Sequence, residues 1–296
     1  MARKSIFRGA ATALITPFKD SKIDYESLER IIEHQMSEGI DALVIAGTTG
    51  ESATLSESEQ MELIRFAKDK IGGRVPTIAG TGSCNTEKAV RLSRYASDIG
   101  CDALLAVTPY YNKATEEGIY RSYKAIAENS DIPMILYNVP SRTSFNLTQQ
   151  MYRRLADIEN IVAVKEASGD LAAMSKLMSE FSDRFDLYSG SDELTVPVMS
   201  VGGKGVISVL SNIMPLTVAR LCRFCAEGDM SEARRLQLDL VPLIDTLFCE
   251  VNPIPVKYAM HLMGFCRDEY RLPLCEPSET TRERIAKVLR EYFLLG

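Results

Sequence analysis

Histidine is nearly missing from this chain of 296 residues: only His34 and His261 occur, each inside a helical pattern. That scarcity argues against a histidine-based catalytic triad and against a zinc site. Long apolar stretches are missing too; no run of about 18 apolar residues occurs, so no membrane-spanning helix is expected. Positive charge is not in excess. The formal net charge is −6, which argues against a general nucleic-acid binder. Seven cysteines are present, but no spacing among them forms a disulfide framework. Cys222 and Cys225 have two residues between them in an amphipathic helical stretch, with no second pair and no nearby histidine. They read as packed thiols rather than a metal or redox pair. Reduced thiols fit a cytoplasmic protein. The N-terminal Met1-Ala2-Arg3-Lys4-Ser5 is basic, yet no apolar stretch follows it, so no secretory signal is expected.

The residues that are present describe an ordinary globular chain, 46% hydrophobic and 25% charged. Short apolar runs recur at Ala10-Ile15, Ala42-Ala46, Thr77-Gly80, Ala103-Thr108, Met134-Asn138, Ile161-Lys165, Asp186-Ser189 and Gly205-Val209, giving eight candidate strands. Segments of helical period lie between most of them. Leu28, Ile31, Ile32 and Met36 fall on one face of a helix that Asp24 can cap and Gly39 can end. Ser56 and Glu59 form a capping box, and Gly72 stops that helix. Thr86, Thr148 and Ser168 are further candidate caps. The alternation predicts a (β/α)8 TIM barrel. A doubly wound sheet would carry a glycine-rich phosphate turn after its first strand, whereas this one ends in Thr16-Pro17-Phe18. After Pro215 the pattern is helical, over Leu216–Glu227, Ser231–Glu250, Ile254–Met263 and Ser278–Leu294. The expected organisation is a catalytic barrel over 1–227 and a C-terminal helical domain over 228–296.

In such a barrel the chemistry collects at the C-terminal ends of the strands. Lys165 closes the run Ile161-Val162-Ala163-Val164, which reads as a strand buried on both faces. Burial disfavours the charged form of lysine, and a neutral amine can form a Schiff base with a ketone. Other strand ends supply the Gly47-Thr48-Thr49-Gly50-Glu51 turn, Pro109-Tyr110-Tyr111, Tyr137 through Arg142, Gly190-Ser191-Asp192 and Ser208. Three converging carboxylates are absent, which argues against an enolase-type metal site. Gly202-Gly203-Lys204-Gly205 precedes the eighth strand, at the wrong end for a phosphate site, and reads as a tight turn. Each residue also has a plain structural role: Lys165 as a strand-end cap reaching water, Tyr137 as interior filler, Thr48-Thr49 as a turn, Arg142 as a surface ion pair. Together they form what a Schiff-base aldolase needs. Lys165 is the nucleophile and Tyr137 the proton donor and acceptor beside it. The threonine turn offers N–H groups and hydroxyls to a small carboxylate, and Arg142 can clamp a second one.

Gly47-Thr48-Thr49-Gly50-Glu51-Ser52, Tyr137-Asn138-Val139-Pro140-Ser141-Arg142-Thr143 and Val164-Lys165-Glu166-Ala167 resemble the motifs of the dihydrodipicolinate synthase / N-acetylneuraminate lyase family. Val107 to Asn112 and Asn252 to Lys257 are similar as well, and the likeness runs from about Gly9 to the C-terminal helices. The resemblance implies that Lys165 forms an imine with pyruvate, whose enamine attacks L-aspartate 4-semialdehyde on the route to diaminopimelate and lysine. It implies a proton relay of Tyr137, Thr49 and Tyr111, with Tyr111 reaching into a neighbouring subunit's site, so that the enzyme is a homo-oligomer, a dimer of dimers. Arg142 would hold the semialdehyde carboxylate, and Gly190 and Ile207 would line the lysine pocket. No cofactor and no metal are implied. Arg142 and the pair Tyr110-Tyr111 point to the synthase branch; a sugar-acid aldolase or lyase is the alternative within the family, and a catalytically silent ligand-binding barrel the alternative outside it. Ser144 stands where glycine is common, at a position that would tolerate positive φ. A lysine-binding allosteric site in the family would fall near Ala53, Glu57, Gln60, Cys84, Lys88 and Tyr110. Lys88 puts a positive charge where lysine-sensitive members have glutamate, Cys84 removes an amide, and Glu57 and Gln60 replace histidines. Weak or absent inhibition by L-lysine is the expectation, unless Glu57 turns inward as a substitute carboxylate.

Overall fold

The computed structural model describes residues 5–295; the basic residues Met1–Lys4 lie outside them. Eight parallel strands close into a barrel, β1 (Gly9–Ala13), β4 (Ala42–Ile45), β5 (Thr77–Gly80), β6 (Ala103–Val107), β7 (Met134–Asn138), β8 (Ile161–Glu166), β9 (Asp186–Ser189) and β10 (Gly205–Ser208). Each pairs with the next in chain order, and β10 returns to β1 with Gly9 opposite Gly205. The closing seam explains the last glycine of the Gly202–Gly205 turn. A Cβ on Gly205 would stand 1.7 Å from the Gly9 carbonyl oxygen, and its φ is +151°. A two-stranded hairpin, β2 (Phe18–Lys19) with β3 (Lys22–Ile23), was not expected from the sequence. Its strands are two residues long, too short for a period to register, and its turn is Asp20-Ser21, both at positive φ rather than the familiar Asn-Gly.

Side chains on each strand alternate between two apolar layers, the period-2 consequence of the pleat. Ile135 and Tyr137 of β7 join an interior cluster with Ala11, Val44, Ile78, Leu105, Tyr188 and Ile207. Met134 and Leu136 of the same strand join the outer layer, under the helices. On β8 Val162 and Ala163 both join the interior cluster, where the pairing with β7 shifts register between Met134 and Ile135, and Val164 resumes the outer layer. Lys165 therefore has interior parity and Glu166 outer parity.

The helices carry the caps their sequences encode, with two corrections. Asp24 and Ser56 cap the first two long helices, Tyr25–Ser37 and Glu57–Ile71, the second with its capping box complete. Thr148 caps Gln149–Ala156. Thr86 and Ser168 do not act as caps. Asn85 caps Thr86–Asp98 through its side chain, and Asp170 caps Leu171–Phe181. In both cases an Asx residue stands one or two positions before that hydroxyl residue or after it, and its carboxyl or amide oxygen reaches the third N–H of the helix. The final helices, Met230–Leu247, Ile254–Leu262 and Glu279–Glu291, bury Leu240, Leu243, Leu247, Val256 and Leu289 in the same outer apolar layer as the barrel's helices. The turn between the first two returns the chain, at Asn252, to the C-terminal ends of the strands.

Candidate active site

Lys165 is 5% exposed. It stands opposite Tyr137 in the β7–β8 register, and its Nζ lies 4.3 Å from the centre of the Tyr137 ring. Among the described residues that Nζ has neither a hydrogen bond nor an ion pair. The outer neighbour holds the strand end in place: Glu166 accepts from Asn138 Nδ2 at 2.8 Å, from the Tyr152 hydroxyl at 3.2 Å and from the Ser168 N–H at 2.8 Å. Burial first, and the Glu166 charge second, push the Tyr152 hydroxyl well above its ordinary pKa, so it stays a proton donor to that carboxylate. Gly190 N–H donates to the Glu166 carbonyl at 2.7 Å, and a Cβ at Gly190 would come within 2.6 Å of Ala167 Cβ, so glycine lets β8 and β9 end together. Asp192 is buried just beyond, its Oδ2 accepting from the N–H groups of Val209 and Leu210, each at 3.0 Å. Burial raises its carboxyl, against the opposing pull of those hydrogen bonds and of the Lys165 charge. Ile207 is fully buried in the interior cluster that also holds Tyr137.

The turn after β4 forms the other wall. Ala46 and Glu51 take positive φ, +56° and +55°, and turn the backbone sharply around Thr48 and Thr49. Thr16 Oγ1 donates to the Gly50 carbonyl at 2.6 Å and fixes that turn to the first strand's end. Thr49 is buried, and its hydroxyl oxygen accepts from Asn252 Nδ2 at 3.1 Å. Glu51 meets Lys257 Nζ at 2.5 Å with both side chains wholly buried, and the same ammonium lies 4.0 Å from the centre of the Phe18 ring. Two lysines are thus buried among the described residues. Both lie over an aromatic ring, but Lys257 is also paired with a carboxylate, whereas Lys165 is not.

A cavity of about 270 Å³ opens beside this turn, lined by Thr48, Val107, Tyr110, Arg142, Asn252 and Leu274 among others. A smaller chamber of about 30 Å³ shares Thr48, Gly82 and Val107 with it and extends inward to Tyr137. Arg142 sits on the short helix Pro140–Thr143, exposed, and its Nη2 donates to the Asn252 carbonyl at 3.0 Å. Ser144 follows at φ +55°, keeping a left-handed cap without glycine. Tyr111 does not join the others. It is 91% exposed on its loop, at φ +74°.

The residues of the expected effector site are only partly gathered. Ala53 and Tyr110 line the main cavity. Burial and the neighbouring Cys84 raise the Tyr110 hydroxyl. Gln60 is turned into the core, where its Nε2 donates to the Gly80 carbonyl at 2.8 Å. Glu57 is paired with both nitrogens of the Arg91 fork, at 2.7 and 2.8 Å. Three polar residues of the site were not singled out from the sequence for a role: Asn252, Glu51 and Lys257. Their partners lie about two hundred positions away, and no local period reports such contacts; the likeness of the Asn252–Lys257 segment to a known motif was the available signal.

The profile of the Dihydrodipicolinate synthetase family matches residues 6–292. The 4-hydroxy-tetrahydrodipicolinate synthase of Pelobacter propionicus is 47% identical over 290 residues, covering 98% of this chain and 100% of that one. The crystal structure of dihydrodipicolinate synthase from Aquifex aeolicus superposes with a TM-score of 0.96 at 44% identity, covering 97% of this chain and 99% of that one. That of the chloride-inhibited dihydrodipicolinate synthase from Acinetobacter baumannii complexed with pyruvate gives 0.95 at 41% identity, over 97% and 99%.

Proposed function

The chain belongs to the dihydrodipicolinate synthetase family, and from that premise we propose how its own residues divide the work of the family's reaction. The reaction condenses pyruvate with L-aspartate 4-semialdehyde to 4-hydroxy-tetrahydrodipicolinate, in the biosynthesis of diaminopimelate and lysine. Lys165 attacks the ketone of pyruvate, and water leaves as the imine forms. Loss of a methyl proton gives an enamine, the electron pair being held by the iminium nitrogen, so that the lysine itself is the electron sink. The enamine carbon bonds to the aldehyde carbon of the semialdehyde, whose oxygen takes up a proton. The semialdehyde's amine then closes the ring and displaces the Lys165 amine.

Tyr137 is the group that passes these protons. The observation that carries the reading is its placement directly across the strand pair from Lys165, with the centre of its ring 4.3 Å from the Lys165 Nζ. Thr48 and Thr49 receive the pyruvate carboxylate, on the Thr48 hydroxyl and the turn N–H groups, while the Thr49 hydroxyl joins Tyr137 in the proton relay. Arg142 receives the semialdehyde carboxylate as a fork of donors at the cavity mouth. Gly190 and Ile207 shape the space around the lysine. Tyr111 completes the relay in a neighbouring copy of this chain, a role supported by its near-complete exposure here; the assembly is then a homodimer, paired again into a tetramer. No organic cofactor or metal takes part, and the protein works in the cytoplasm.

The test is substrate choice. Purified protein should consume pyruvate only when the semialdehyde is supplied, and should leave N-acetylneuraminate intact. Cleavage of the sugar acid without condensation would move the chain to the lyase branch, and inertness toward both would leave a binding barrel.

A further inference from the structure

We infer that Asn252 is a positioning residue for this reaction, setting the direction of the Thr49 hydroxyl; the inference rests on the relay role proposed for Thr49. Asn252 enters the site from the C-terminal helical region, 203 positions from Thr49. It is buried and lines the main cavity. Two bonds make it a bridge. Its side-chain Nδ2 donates to Thr49 Oγ1 at 3.1 Å, and its main-chain carbonyl accepts from Arg142 Nη2 at 3.0 Å.

The polarity of the first bond matters. A threonine hydroxyl has one hydrogen to give and two lone pairs to receive. An amide N–H at position 252 occupies a lone pair and cannot take the hydrogen, which stays available to a different acceptor, as a relay requires. A carboxylate in the same place would capture the hydrogen and remove it from the relay, with almost no change of shape. The other end of the amide strengthens the case. Among the described residues Asn252 Oδ1 is buried without a hydrogen-bond partner. A buried acceptor left unsatisfied is a cost to the fold, so stability alone does not account for an amide here, and the bond to Thr49 is the interaction its side chain does make.

Three variants test this: Asn252→Ala, the near-isosteric Asn252→Asp, and Asn252→Ala combined with Thr49→Val. Loss of positioning in a proton-transfer path should lower kcat by roughly ten- to a hundredfold in Asn252→Ala, the low end of an acid–base contribution, while KM for pyruvate moves less than about threefold. Asn252→Asp should lose at least as much kcat despite its preserved shape. Because both residues act on one hydroxyl, adding Asn252→Ala to Thr49→Val should cost little more than Thr49→Val alone. Wild-type kcat in Asn252→Asp, or fully multiplicative losses in the double variant, would overturn the role; the Asp variant decides the matter if the Ala variant does not fold. Borohydride reduction with pyruvate should still label Lys165 in each folded variant. Unlabelled wild-type protein would refute the Schiff-base reading itself, a failure distinct from labelled protein with independent kinetics.

Discussion

Replacing Lys257 with methionine should be among the most damaging single changes outside the reacting groups. Lys257 and Glu51 are 2.5 Å apart, and neither side chain is exposed. Two unit charges at that distance attract by roughly 7 kcal/mol at an effective dielectric near 20. Taking both ions out of water costs several kcal/mol each, so the pair as a whole is close to neutral for stability. Removing the ammonium alone is a different matter, because it leaves Glu51 charged and buried. Such a break costs about 3–5 kcal/mol, a large part of the roughly 5–15 kcal/mol that holds a typical domain together. Glu51 also ends the turn that carries Thr48 and Thr49, at φ +55°, so the loss should fall on pyruvate binding as well as on stability. The double variant Lys257→Met/Glu51→Gln removes both charges and should recover most of the stability, within about 1–2 kcal/mol of wild type. Urea unfolding of the three proteins at neutral pH, with pyruvate titrations beside it, measures this. A Lys257→Met cost below about 1 kcal/mol, or a double variant no better than the single, would refute the argument that an uncompensated buried charge is the cause.

Tyr137→Phe should lower kcat by about 10²–10⁴-fold with the fold intact; near-normal turnover would assign Tyr137 to packing. Tyr111→Phe and Lys165→Ala chains, each inactive alone, should regain partial activity when mixed and allowed to exchange subunits, and a fully active monomer in sedimentation would contradict the shared site. Free L-lysine should inhibit weakly or not at all: Lys88 repels the effector's ammonium, even about 1.4 kcal/mol of repulsion being tenfold in affinity, and the substitute carboxylate Glu57 is already paired with Arg91. Calorimetric titration with L-lysine checks this, and inhibition below the millimolar range would show that reading of Lys88 to be wrong.

The barrel was legible because its strands announce themselves locally. Runs such as Met134–Asn138 and Ile161–Glu166 are buried on every residue, so both layers of the barrel write apolar residues into one short stretch. Lys165 was legible for the same reason, as a charge at the end of such a run. The hairpin at Phe18–Ile23 was not, since two-residue strands carry no period. The caps at Asn85 and Asp170 were displaced by one or two positions because a neighbouring hydroxyl offers similar chemistry. Gln60 faces inward to the Gly80 carbonyl, although its residue type alone suggests the surface. The pairings of Asn252 with Thr49 and of Lys257 with Glu51 join opposite ends of the chain. Only closure of the barrel and return of the C-terminal helices over its mouth bring them together.

The most direct test is covalent trapping. Protein incubated with pyruvate and reduced with borohydride should gain one pyruvate-derived adduct, located by peptide mass spectrometry on the peptide that carries Lys165, and Lys165→Ala should gain none and lose turnover by orders of magnitude. No adduct on wild-type protein, or an adduct on Lys257 in its place, would contradict the assignment of Lys165 as the nucleophile.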